Sequence, residues 1–183
     1  PARDLAAGWL AREVSEAVVR WANSTLTTNG HTVTRQLSVV LLVPLEDGAG
    51  AGVVTVPAPT VPGPEADAVL RGAVAAAVRS ALRGGPARDA APLPSPSGPA
   101  DRDWHSEADE TSIAVFARLA DELGDSFRGD EASFGFAEHR VTTSWLGTSA
   151  GVRRRWVEPT GSVELNLKDP VTGTSVWGGE GAR

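Results

Sequence analysis

Gly147-Thr148-Ser149-Ala150-Gly151 is the stretch of this chain that comes nearest to an enzymatic nucleophile. It matches G-x-S-x-G, in which a sharp strand-to-helix turn lifts a serine hydroxyl towards substrate. The residues that follow, Val152-Arg153-Arg154-Arg155-Trp156-Val157, read as a strand. The histidine partner should come later in the chain, whereas His31, His105 and His139 all precede Ser149. Residues 147–151 therefore read as a hairpin turn. Gly48, Gly50 and Gly52 resemble half of a dinucleotide fingerprint, but no helix follows to offer its N-terminus to a pyrophosphate. They read as a hairpin with closely packed backbone.

His105 lies beside Glu107, Asp109 and Glu110, a group that could in principle hold a metal. The plainer reading is an acidic helix start, favoured by the helix dipole. There is no H-E-x-x-H or longer-spaced equivalent, so the stretch carries no zinc peptidase motif of that design. Arg153-Arg154-Arg155 is the one basic run. In a strand, Arg153 and Arg155 share a face and Arg154 takes the other. A solvated edge strand is the plain reading; recognition of a carboxylate or an acidic partner is the sharper one. Trp145, Trp156 and Trp177 fall on neighbouring strands and are expected in the core. Asn23-Ser24-Thr25 matches a glycosylation sequon and carries no weight here.

The elements that must position these residues follow from the hydrophobic pattern. Residues 8–26 read as extended, and Asn29-Gly30 suits a hairpin turn because both residues tolerate positive φ. Val33, Leu37, Val39, Leu41 and Val43 alternate with polar residues, as in a strand. A turn over 47–52 and a strand over 53–56 complete a meander of about four strands. Pro64 opens a helix to about Arg83, with Val69, Leu70, Ala73, Val74, Ala77, Val78, Ala81 and Leu82 as its apolar stripe. A Pro-rich connection over about 86–103 is expected to be mobile or draped over the surface. A second helix is expected from Asp109 or Glu110 to Gly124, burying Ile113, Phe116, Ala117, Ala120 and Leu123. Strands at 134–146, 152–157, 162–168 and 174–177 follow, with a turn at Pro159-Thr160-Gly161. Strands and helices are segregated, so the fold class is α+β: antiparallel or mixed β-meanders packed with two main helices, in a single domain.

Composition narrows the function. The chain has 183 residues, 41% of them hydrophobic and 22% charged, as in ordinary globular proteins. Without cysteine it has no disulfide framework and no thiolate metal site. A net charge of −6 and a single short arginine run argue against nucleic acid. No apolar run approaches the roughly 20 residues of a membrane span, and no secretory or transit segment is visible, so a cytoplasmic location is expected. A chain that begins at Pro1 and lacks methionine reads as a fragment or a processed product.

Four strings in order carry a family resemblance. Arg20-Trp21-Ala22-Asn23-Ser24-Thr25-Leu26-Thr27-Thr28-Asn29-Gly30 is the first. Glu110-Thr111-Ser112-Ile113-Ala114-Val115-Phe116, with Leu123-Gly124-Asp125-Ser126-Phe127, is the second. Thr143-Ser144-Trp145-Leu146-Gly147-Thr148-Ser149-Ala150-Gly151-Val152-Arg153 and Gly161-Ser162-Val163-Glu164-Leu165-Asn166-Leu167-Lys168 complete the set. From about residue 9 onwards the chain resembles the N-terminal domain of the TldD/PmbA (modulator of DNA gyrase) family, in its actinobacterial TldE-like branch. The resemblance implies a bacterial heterodimeric, zinc-dependent peptidase acting on unfolded or modified peptides. It implies that zinc sits in a TldD-like catalytic partner, on an H-E-x-x-x-H helix of a C-terminal domain absent from this chain. No catalytic or metal residue is carried onto this sequence. Two alternatives stand beside it: a piece of the catalytic TldD-type subunit, and a stand-alone module that binds a peptide or partner. Thr28, Asn29 and Gly30 at the first hairpin, with Trp145, Ser149, Arg153 and Arg155 near the second, are the candidate contacts. An open antiparallel meander can accept an extended peptide as an added strand, and 152–157 or 162–168 are expected to do so.

Overall fold

A computed structural model describes residues 6–183. It has six strands and two helices: β1 (Ala6–Ala22), β2 (Thr25–Leu45), β3 (Gly48–Pro57), α1 (Pro64–Gly84), α2 (Ala117–Ser126), β4 (Ala132–Thr148), β5 (Arg153–Lys168) and β6 (Ser175–Ala182). The strands form one antiparallel sheet in the order β3-β2-β1-β4-β5-β6, an α+β fold. The chain divides into two compact units. The first comprises the described part of Pro1–Glu13 with Arg35–Glu107 and Thr143–Trp156; the second comprises Val14–Thr34, Ala108–Thr142 and Val157–Arg183.

In the first unit, α1 packs on β2 and β3. Val39, Leu41, Ala73 and Ala77 are the buried centre, with Leu37, Val54, Val56 and Val78 around them. The buried stripe of α1 is Ala66, Ala73, Ala77 and Ala81. Leu70, Val74 and Leu82, expected in that stripe, are exposed. The reason is the sheet beneath. Gly50 and Gly52 lie inside β3, not in a turn, since β3 starts at Gly48 opposite Leu45. A Cβ on Gly50 would stand 2.5 Å from the carbonyl oxygen of Ala81, and one on Gly52 would drive into that of Ala77. Glycine facing alanine brings backbone against backbone, and larger side chains are displaced from the contact.

In the second unit, Val19, Trp21, Leu123 and Ala137 are buried, with Ile113, Phe116, Leu119, Phe127, Val163 and Leu165 packed on them. Trp21 Nε1 donates to Ser133 Oγ at 2.9 Å, which satisfies the indole inside the core.

Several expectations are corrected. The first meander has three strands. Its first turn is Asn23-Ser24, with φ of 50° and 53°, and Asn29-Gly30 lies within β2. Tertiary anchors select that turn: Ser24 N–H donates to the Ser133 carbonyl at 2.9 Å, and Ser133 N–H donates to Ser24 Oγ at 3.1 Å. Residues 109–112 are not helical; a 3-10 turn covers Ile113–Phe116, and α2 follows. Leu119 and Phe127 take the places expected of Ala117 and Ala120, which are exposed. Pro159 makes no turn, because β5 runs on to Lys168. β6 pairs with β5 only over 161–168, so the absent N–H of Pro159 leaves no gap in that ladder.

Candidate functional site

The second unit holds an apolar cavity beside a bare stretch of strand. The length mismatch between β2 and β3 creates that stretch. β3 ends at Pro57 opposite Gln36, and one further bond, Ala58 N–H to the Arg35 carbonyl at 3.0 Å, closes the ladder. Pro59, Pro62 and Pro64 then carry the chain away. β2 continues from Arg35 back to Thr25, and among the described residues no strand pairs with that stretch on the β3 side. Its sequence, Thr25-Leu26-Thr27-Thr28-Asn29-Gly30-His31-Thr32-Val33-Thr34, has no Lys, Arg, Asp, Glu or Pro. Those are the residues that ordinarily guard a sheet edge.

The cavity measures about 630 Å³. Val19 and Leu123 are its buried members, and Ile113, Phe116 and Phe127 are half-buried. Leu26, Asn29, Ala117 and Ala120 bring it to the surface. No charged residue lines it.

A polar cluster next to it fixes the chain ahead of α2. Ser15 Oγ, fully buried, accepts Thr111 N–H at 3.0 Å and lies 2.8 Å from His31 Nε2. Thr111 Oγ1 is 2.7 Å from His139 Nδ1. These bonds tie down residue 111, Ser112 after it is extended with φ −151° and ψ 169°, and helical structure begins only at Ile113. The Ser15–His31 pair is not an active dyad, because Ser15 has no exposed surface from which to meet a substrate. Arg140 pairs with Glu16 nearby, and that hydrogen bond raises the guanidinium above its ordinary value.

Of the candidate contacts, Thr28, Asn29 and Gly30 lie on the bare stretch of β2, and Asn29 lines the cavity. Trp145, Ser149, Arg153 and Arg155 belong to the first unit, where the structure engages each within the chain. Arg155 lies over the Trp145 ring at 5.6 Å and donates to Asp103 Oδ2 and to the Glu107 carbonyl, both at 2.8 Å. Arg153 lies over Trp104 at 5.7 Å. Arg154 donates to the Pro99 carbonyl at 2.8 Å. Ser149 exchanges bonds with Ala7, whose N–H donates to Ser149 Oγ at 3.0 Å.

The arginine run is therefore not a solvated edge. The connection lies along it, with Asp101 N–H donating to the Arg153 carbonyl and Arg155 N–H to Asp101 Oδ2. The two stretches expected to accept a strand are thus occupied, 153–155 by the connection and 161–168 by β6. The tryptophan reading is corrected as well. Trp156 and Trp177 are exposed, Trp177 at 63%, and the buried indole is Trp21.

Among the described residues no three His, Asp or Glu side chains converge on a metal position. His31 and His139 already hydrogen-bond Ser15 and Thr111. The residues present do not fit a zinc site, and no catalytic step is assigned to them.

Sequence reasoning missed the cavity. Its lining joins Val19 and Leu26 to a helix nearly a hundred residues away. The one local signal was the charge-free, threonine-rich stretch from Thr25 to Thr34.

The fold defines a class in solved structures. The chain aligns over 98% of its length with a crystal structure of a proposed modulator of a DNA gyrase from Thermotoga maritima, at TM-score 0.58 and 11% identity. It aligns over 98% with TldE from Thermococcus kodakarensis, at TM-score 0.57 and 12% identity. It aligns over 97% with a proposed modulator of DNA gyrase from Bacteroides thetaiotaomicron, at TM-score 0.62 and 14% identity. The chain spans 40% of the length of each of these proteins. At these identities the likeness is one of fold. No protein-family model and no curated protein matches the sequence.

Proposed function

We propose that this chain is the N-terminal α+β part of a TldE-like, non-catalytic subunit in a TldD/TldE-type zinc-dependent peptidase. One observation carries the reading: nearly the whole chain aligns with TldE and with two gyrase-modulator structures. The four sequence strings named above run in the same direction. In this reading zinc and the peptidase chemistry reside in a TldD-like partner, and the substrate is an unfolded or modified peptide. This domain helps to form the wall of the chamber. The location is cytoplasmic, and no described helix is long and apolar enough to cross a membrane.

The test is co-expression with a TldD-type protein from the same genome. A co-purifying complex that contains zinc and cleaves an unstructured peptide is expected, with no cleavage by this chain alone. Absence of a complex in light scattering, with both proteins folded, overturns the proposal.

A further inference from the structure

We infer that the bare stretch of β2 and the neighbouring cavity form a strand-accepting site. Its ligand is an extended, uncharged polypeptide segment that places a large apolar side chain in the cavity. The inference stands on unit geometry and does not depend on the peptidase reading.

The backbone gives the direction of pairing. The Arg35 carbonyl points outward, since it accepts Ala58 N–H from beyond the β2 edge. N–H and C=O of one strand residue point the same way, and alternate residues point alike. The outward groups of the bare stretch are therefore those of Val33, His31, Asn29 and Thr27. Side chains of these same residues lie on the cavity face: Asn29 lines the cavity and His31 reaches Ser15. An antiparallel strand laid against them would set every second side chain on that face. The one opposite Thr27 or Asn29 would stand beside Asn29, Ala117 and Ala120.

The occupant follows from chemistry. Outward backbone groups that no strand pairs among the described residues select another backbone, whatever its sequence. The uncharged lining selects an apolar anchor and penalises a charged one. A second copy of this chain fits poorly, because its own edge would offer Thr27, Asn29, His31 and Val33, of which only Val33 is apolar, and a valine is small beside a cavity of about 630 Å³.

The probe is a fluorescein-labelled nonapeptide alternating threonine and valine about a central leucine, with an amidated C-terminus and no charged side chain. Anisotropy should show saturable binding to the 183-residue chain, with slower amide exchange at Asn29 and His31. Replacing the central leucine by aspartate should weaken binding at least about 10-fold, as should Ala120→Trp, which fills the cavity at an exposed position. N-methylation of the peptide amides facing β2 should abolish binding, while N-methylation of the alternate set should not. Asn29→Pro, which removes one outward N–H, should act in the same direction. No binding to the folded chain, equal loss from both methylation patterns, or protection elsewhere than 25–34 overturns the inference. So does dimerisation through this edge in light scattering. Failure of the co-expression test above leaves these outcomes unchanged, so the two proposals fail separately.

Discussion

Arg155 and Asp103 form an ion pair of unequal burial: the arginine side chain is 5% exposed and the aspartate 50%. The guanidinium is also held by the Glu107 carbonyl and the Trp145 ring. Losing the aspartate leaves the cation with other partners, whereas losing the arginine empties a packed position. Arg155→Ala should cost about 2–4 kcal/mol and Asp103→Ala about 1 kcal/mol. Urea unfolding of both variants checks the order.

Gly52 and Gly72 should respond to alanine with opposite signs. At Gly52 the new methyl meets the Ala77 backbone, and α1 must move off β3. Gly72 lies within α1 with open space around it. Gly52→Ala should destabilise by about 2–4 kcal/mol. Gly72→Ala should stabilise by about 0.5–1 kcal/mol through helix propensity. Thermal melts followed by circular dichroism decide both.

The Trp21–Ser133 bond is buried, so removing its acceptor leaves an indole N–H without water. Ser133→Ala should cost about 1–3 kcal/mol. Trp21→Phe in the same background should recover part of that loss, because it removes the stranded donor. A double-mutant cycle by chemical denaturation measures the coupling.

Asp169 sits in the β5–β6 turn, where Thr172 Oγ1 and the Val171 and Thr172 amides donate to its carboxylate. The Thr172 side-chain bond is the chief cause that lowers its pKa. A depressed carboxyl supplies stability above the ordinary aspartate range and loses it as pH falls through the folded value. Carboxyl titration by NMR should find Asp169 below the ordinary aspartate value, and Thr172→Ala should move it back up.

Legibility tracks the range over which each residue is decided. The β2 core is readable from Val39, Leu41 and Val43, whose alternation needs only the strand period. The start of α1 is readable from Pro64. Asn29-Gly30 misleads because its local preference for a turn is overruled by Ser24 bonding to Ser133, a partner over one hundred residues away. The start of α2 fails similarly, since Ser15 and His139 bind Thr111 and the chain stays non-helical until Ile113. The large residues of α1 mislead because the glycines opposite leave room only for alanine. The cavity is illegible because its two walls, like Ser24 and Ser133, are far apart in sequence.

The strand order also sets a kinetic expectation. Short turns join β1, β2 and β3, and β5 follows β4 with β6 after it, so each meander can form from near neighbours. Only β1 beside β4 brings together segments more than one hundred residues apart. Closing that loop carries the largest entropy cost of any strand pairing in the sheet. Refolding should thus be limited by this one pairing, with Trp21 emission reporting the slow phase as its indole reaches Ser133.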